Sequence, residues 1–160
     1  MTTLPARIVH IAIARHWADV YAFVSKPEKM PLWPSGLASG LKPDGQDWIA
    51  DGGPIGQVRV RFTPSNGLGV IDHTVTMENG QVVENALRVV PNGDGAEVMF
   101  TLLRRPDMDD AAFETDTHHV EQDLQTLKAL LESRSVTTKG ADRTVDDIDV
   151  VVEQDQYRSV

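Results

Sequence analysis

Turn signals at regular intervals between residues 37 and 105 restrict the fold more than any other feature of this sequence. Pairs rich in glycine, asparagine and proline recur there about every 8–14 residues and separate short runs of alternating apolar and polar residues. No gap is long enough for the helix that connects parallel strands, so antiparallel pairing is expected. The spacing predicts a meander of six strands, near residues 38–42, 46–50, 56–63, 69–78, 81–91 and 95–104.

One further strand and three helices are predicted on either side of this meander. Residues 7–13 alternate and are rich in β-branched side chains, which predicts an edge strand. Residues 14–25 change to helical spacing, and Pro27 separates them from a second short helix over residues 28–33. The clearest helix follows Pro106, and its apolar side chains recur every three or four residues. This stripe consists of Phe113, Val120, Leu124, Leu127 and Leu131, with Thr117 in the gap.

The order of these elements predicts an α+β fold. A seven-stranded curved antiparallel sheet is expected to wrap around the long C-terminal helix, with two short helices between strands 1 and 2. One face of the sheet is apolar and must be covered, and the terminal helix carries the large apolar surface that can cover it. We predict one domain over residues 6–132. Residues 133–160 are predicted to form a polar, acidic tail, flexible or weakly structured, with a strand near Ile148–Val152.

Negative charge is concentrated in the last helix and argues against several kinds of partner. The formal net charge is −9, and residues 107–132 contain eight carboxylates against one lysine. Such a surface repels phosphate groups, so neither nucleic acid nor an anionic membrane surface is an expected partner. No run approaches the roughly 18 apolar residues of a membrane span, so no membrane insertion is expected. The chain contains no cysteine and its first residues lack a secretion signal, which favours a cytoplasmic location.

Polar residues interrupt two apolar strand faces that should point towards the last helix. His73 lies among apolar residues of one strand, and Asn85 occupies a similar position in the next. Asp116 lies about 60° from the centre of the helical stripe. A buried polar group without a partner costs roughly 1–3 kcal/mol. These three groups therefore indicate either mutual hydrogen bonds or contact with a polar atom of a ligand.

The predicted cavity between sheet and helix has seventeen candidate ligand-binding residues. They are Trp33, Trp48, Val58, Val60, Phe62, Ile71, His73, Val75, Met77, Asn85, Leu87, Val98, Phe100, Phe113, Asp116, Thr117 and Val120. His73 has two interpretations: it contacts a ligand or transfers a proton, or it is a core histidine that Asn85 or a backbone group satisfies. Trp33 and Trp48 could line the mouth of the cavity or belong to the core.

No metal site or cofactor is predicted. His118 and His119 are adjacent, and neighbouring residues of a helix diverge by about 100°, so both cannot easily bind one ion. The glycines near residue 52 lack the lysine and serine or threonine of a phosphate-binding loop.

The segment HWADVYAFVSKPEKMPLW at residues 16–33 resembles the helix pair of the START-like helix-grip superfamily, also called SRPBCC. Within that superfamily it is similar to the polyketide cyclase/dehydrase and lipid-transport group, through its lysine-proline break and the tryptophan that follows. The first strand, the meander and the helix that ends in DLQTLKALL complete the resemblance, which covers about residues 6–132. The resemblance implies a cavity for an apolar or aromatic small molecule. It brings no shared catalytic motif.

Three functions are compatible with this sequence. The first is binding of a hydrophobic or aromatic small molecule, with His73 and Asn85 as polar anchors. The second is a cyclase or dehydratase in which His73 acts as general acid or base while Asn85 stabilises an oxyanion. The third is a regulatory module whose acidic helix and tail contact a basic protein. The tail could also pair with an edge strand of a second copy and produce a homodimer.

Overall fold

The computed structural model describes residues 1–35, 40–52 and 56–133, and it confirms the predicted fold class. The predicted strand near Ile148–Val152 and almost all of the predicted tail lie outside these residues. Within them, no helix has the length and apolar character needed to cross a membrane. The elements are β1 (Ala6–Ile13), α1 (Trp17–Val24), a 3₁₀ helix (Pro27–Leu32), β2 (Lys42–Asp44), β3 (Asp47–Asp51), β4 (Gln57–Phe62), β5 (His73–Met77), β6 (Val82–Asn92), β7 (Gly95–Leu103) and α2 (Asp110–Ser133).

The seven strands form one antiparallel sheet in the order β1-β7-β6-β5-β4-β3-β2. Tight turns connect β2 to β3, β5 to β6 and β6 to β7, as the turn signals predict. At the β5–β6 turn the backbone N–H of Gln81 donates to Oδ1 of Asn79 (2.9 Å), and Gly80 has a φ of 85° that favours glycine. β1 lies at one edge of the sheet, as its alternating sequence predicts.

Two predicted strands have different bounds in the structure. β2 comprises Lys42–Asp44, whereas the sequence pattern placed it near 38–42 and assigned Pro43 to a turn. Proline is tolerated here because β2 is an edge strand, where a missing N–H removes no bond to a further strand. β5 begins at His73 and not near residue 69, because the preceding segment departs from regular strand geometry.

The segment before β5 pairs with β6 in close contact with its backbone, and Val70 forms an antiparallel bridge with Arg88. The N–H of Val89 donates to the carbonyl of Gly69, and the N–H of Ile71 donates to the carbonyl of Leu87, each at 2.9 Å. Gly69 has a φ of 70°, and a Cβ atom at this position would lie 1.9 Å from the carbonyl oxygen of Val89. Only glycine therefore permits this close pairing between the segment and β6.

Asp72 also fixes the segment before β5. Its carboxylate accepts hydrogen bonds from the N–H of Leu87 (3.0 Å) and from the guanidinium of Arg88. Its carbonyl accepts from the N–H of Thr63 at 2.8 Å. Asp72 thus ties the start of β5 to both of its neighbouring strands, and this sets the position of His73.

The apolar stripe of α2 divides into two halves with different surroundings. Leu124, Leu127 and Leu131 in the C-terminal half are buried in the main core, together with residues of β1, β6, β7 and α1. Phe113 in the N-terminal half belongs to a smaller cluster with Leu102 and Met108. The main core lies under the C-terminal half of α2, and the N-terminal half is left to border a cavity.

Hydrogen bonds fasten both ends of α2. At its start the N–H of Ala112 donates to Oδ1 of Asp109 (2.7 Å), so Asp109 caps the helix. At its end Nζ of Lys128 donates to the carbonyl of Ala12 (2.6 Å), and Nε of Arg15 donates to the carbonyl of Leu131 (3.0 Å). These bonds hold the helix over β1 on the concave side of the sheet.

We expect Gly69→Ala to destabilise the fold by about 1–3 kcal/mol, because it places a side chain in a left-handed conformation against the backbone of Val89. Chemical denaturation would measure this loss. Two control variants separate the causes: Gly80→Ala has a positive φ without a steric neighbour, and Gly67→Ala has neither. A Gly69→Ala variant no less stable than Gly80→Ala would contradict the role of the close contact.

Candidate functional site

The sheet splits between β6 and β7 because only residues 86–92 of β6 pair with β7. Residues 82–85 pair with β5, and residues 86–92 pair with β7. On the other side of the split, Leu102 and Leu103 pair with β1 only. Residues 82–85 therefore have no paired strand on their β7 side within the described part of the chain, and the sheet opens there.

A cavity of about 590 Å³ lies at this split, between β4–β6 on one side and the end of β7 and the first half of α2 on the other. Its exposed lining residues Leu4, Val82, Glu84 and Leu103 mark the mouth. Buried or half-buried side chains line its interior. They include Val58, His73, Val75, Met77, Val83, Asn85, Phe100, Leu102 and Val120. The interior is thus mostly apolar, and its polar side chains are one pair on β5 and β6 together with the half-buried Gln81, Arg105 and Asp116.

His73 and Asn85 form this pair, since the β5–β6 register places them directly opposite each other. Nε2 of His73 lies 3.3 Å from Nδ2 of Asn85, and Nδ1 of His73 lies 3.1 Å from the carbonyl oxygen of Ile71. The ring of Phe62 packs against the imidazole at 5.2 Å between centroids. Both ring nitrogens therefore have a partner, as expected for a satisfied core histidine, although the ring also borders the cavity.

The surroundings of His73 favour the neutral imidazole. Burial lowers the pKa of this side chain below its ordinary value. The hydrogen bond to Ile71 and the nearby carboxylates of Asp72 and Glu84 act on the pKa in the opposite direction, but with smaller effect. His73 is consequently uncharged at neutral pH, and a charged ligand group gains no ion pair from it.

Charged side chains meet on the α2 side of the cavity. Nε of Arg105 lies 3.3 Å from Oδ1 of Asp107, and its Nη1 lies 4.0 Å from Oδ2 of Asp116. Nε2 of Gln81 is within 3.5 Å of Oδ2 of Asp107, a contact between the β5–β6 turn and the segment before α2. The positive charge of Arg105 is therefore already opposed by two carboxylates.

The structure brings some of the predicted ligand-binding residues together around this cavity and places the others elsewhere. Eight of them border it: Val58, His73, Val75, Met77, Asn85, Phe100, Asp116 and Val120. Six are buried away from its lining: Val60, Ile71, Leu87, Val98, Phe113 and Thr117. The remaining three are Trp33, Trp48 and Phe62. Trp33 is buried in the main core, Trp48 is half-buried opposite Val60, and Phe62 reaches the site only through the ring of His73.

Several lining residues escaped the sequence analysis. Val83 and Leu102 have the same strand parity as predicted residues and could have been included on that signal. Leu4, Gln81 and Arg105 carry no such signal, because they border the cavity only as a result of the split between β6 and β7.

A second depression follows the free edge of β1. It lies between Ile8 and His10 on the strand and His118, Glu121 and Gln122 on α2. Its lining is mostly polar, and His118 is exposed and already contacts Glu121 at 3.5 Å. Over the residues that the structure describes, no three or more histidine, aspartate or glutamate side chains cluster in a way that could hold a metal ion.

No protein-family model and no curated protein matches this sequence. Solved structures match at low identity. CV1439 from Chromobacterium violaceum has a TM-score of 0.59 and 18% identity, over 79% of this chain and 97% of CV1439. CalU16 from Micromonospora echinospora has a TM-score of 0.60 and 13% identity, over 82% of this chain and 76% of CalU16. DynU16, from the dynemicin biosynthetic locus, has a TM-score of 0.63 and 11% identity, over 80% of this chain and 47% of DynU16.

At such identities these similarities establish the fold and not the chemistry. They agree with the strand order, the two short helices after β1 and the long C-terminal helix described above. The chain therefore has a helix-grip fold, which these solved structures share.

Proposed function

We propose that this protein binds an apolar or aromatic small molecule in the cavity at the split between β6 and β7. The observation that carries the proposal is a largely apolar chamber of about 590 Å³ in which His73 and Asn85 form a hydrogen-bonded polar pair. This volume falls within the roughly 300–1,000 Å³ typical of small-molecule sites, which combine apolar walls with a few polar groups.

The position of the cavity supports this function in two further ways. The first half of α2 contributes Asp116 and Val120 to the lining, while the core is closed by the second half, so a ligand can enter without disturbing the core. The split provides a route from solvent, because its edges include the exposed residues Val82 and Leu103. One protein of similar fold, DynU16, comes from the dynemicin biosynthetic locus, and a small-molecule role for this chain agrees with that association.

Proton transfer by His73 is less well supported by the geometry. A general base needs a nitrogen lone pair that faces the substrate. Here Nδ1 contacts the carbonyl of Ile71 and Nε2 contacts the amide of Asn85, so a substrate would have to displace one of these partners. The third function, contact with a basic protein, would rest largely on the tail outside the described residues.

We expect Val75→Phe to weaken binding of aromatic ligands by at least about tenfold, because the larger side chain occupies the chamber. Isothermal titration calorimetry with a panel of fused-ring aromatic compounds would measure the affinities, and thermal shift would report stability. The matched control is Thr76→Phe, which places the same side chain on the opposite face of β5. Equal affinities for the two variants, or no binding by the unmodified protein, would contradict the proposal.

A further inference from the structure

The hydrogen bonds of His73 fix which of its nitrogens carries the proton. The carbonyl oxygen of Ile71 can only accept, so Nδ1 must be the donor in their 3.1 Å contact. A neutral imidazole carries one ring proton, and Nε2 is then left with a lone pair. That lone pair faces the side chain of Asn85.

This tautomer in turn fixes the orientation of the Asn85 amide. Because Nε2 of His73 can only accept, the atom of Asn85 that lies 3.3 Å away must be the amide nitrogen. Oδ1 of Asn85 is directed away from the histidine, and no hydrogen bond to it occurs within the described part of the chain. His73 is thus a positioning residue, and Asn85 is the group that meets a ligand in the cavity.

A ligand that enters the cavity removes water from Oδ1 of Asn85 and must replace the lost hydrogen bond. A hydroxyl group can donate to Oδ1 and can also accept from the remaining amide proton. A ketone oxygen can only accept, so it leaves Oδ1 unsatisfied, and a carboxylate is repelled by it. Asp116 and Glu84, which also line the cavity, disfavour an anion further, while the two carboxylates next to Arg105 oppose its positive charge.

On the basis of the proposed binding function, we infer that the cavity selects aromatic molecules with a neutral hydroxyl group, which donates a hydrogen bond to Oδ1 of Asn85, over otherwise similar ketones and carboxylates. The preference depends on the tautomer of His73. In this arrangement Oδ1 of Asn85 accepts a hydrogen bond from the ligand, whereas stabilisation of an oxyanion would require Asn85 to donate one.

The tautomer can be tested without a ligand. Imidazole NMR correlating ¹H and ¹⁵N is expected to show His73 protonated at Nδ1 at pH 7.5, with a pKa below about 6.5. Because the unfolded chain then takes up this proton at a higher pH than the folded chain, stability is fully present above about pH 6.5 and falls as the pH drops. Denaturation at pH 7.5 and 5.5 should show a smaller loss for His73→Phe than for the unmodified protein. A proton on Nε2 at pH 7.5 would overturn the inference.

The selectivity can be tested with four probes that share one ring system: 2-naphthol, 2-acetylnaphthalene, 2-naphthoate and naphthalene. Calorimetry on the full chain at pH 7.5 is expected to show that 2-naphthol binds about tenfold or more tightly than 2-acetylnaphthalene, and that 2-naphthoate binds least. In Asn85→Leu the affinities for 2-naphthol and 2-acetylnaphthalene should converge to within about twofold, with naphthalene unimpaired. In His73→Phe the amide of Asn85 loses its histidine partner and is free to rotate, so the preference for 2-naphthol should decrease.

The outcomes separate this inference from the function on which it rests. If the probes bind the unmodified protein without a preference for 2-naphthol, or if that preference survives in Asn85→Leu, the inference is wrong and the binding function stands. If no probe binds, the binding function and the inference fail together. Melting temperatures of both variants show whether a lost preference reflects a lost fold.

Discussion

The candidate site depends on one constraint, which is that β6 pairs with β7 along only part of its length. A strand that paired with β7 along its whole length would close the sheet and place backbone where the mouth of the cavity now lies. The contacts of Gly69 and Asp72 determine how β5 meets β6, because they fix the segment before β5 against Leu87 and Val89. The bridge between Val70 and Arg88 in this segment has the same register as the pair of His73 and Asn85. One steric requirement, a glycine in contact with a carbonyl, therefore positions the polar pair of the cavity.

Local sequence signals were sufficient to predict the strand number, the antiparallel pairing and the terminal helix. The Asn79-Gly80 turn and the period of α2 act over a few residues, so their consequences can be worked out without tertiary information. β5 was predicted too long for the opposite reason. The alternation of apolar residues continues through Ile71, and Val70 still bridges to Arg88. The regular strand is interrupted at Asp72, whose side chain accepts the N–H of Leu87, and that contact is visible only in three dimensions.

The site itself could be predicted only in part, because alternation reports which face of a strand a side chain occupies and not what covers that face. Val58 and Val60 share a face of β4, yet Val58 borders the cavity while Val60 is buried outside its lining. Similarly, Phe113 and Val120 belong to one helical stripe, and only Val120 reaches the cavity. Core and cavity walls are both apolar, so they have the same sequence pattern. Arg105 lies outside any such pattern and joins the site through the split.

The two interpretations of His73 that the sequence left open are not exclusive. The neutral ring of His73 has a hydrogen-bond partner at each nitrogen, the carbonyl of Ile71 and the amide of Asn85, so its burial leaves no ring nitrogen unsatisfied. The hydrogen bond between His73 and Asn85 also orients the amide, and it leaves Oδ1 of Asn85 as the acceptor that a ligand meets. Apolar walls can supply affinity for many aromatic molecules, and a single oriented oxygen then decides among them. A histidine with a structural role can in this way determine ligand choice without exchanging a proton.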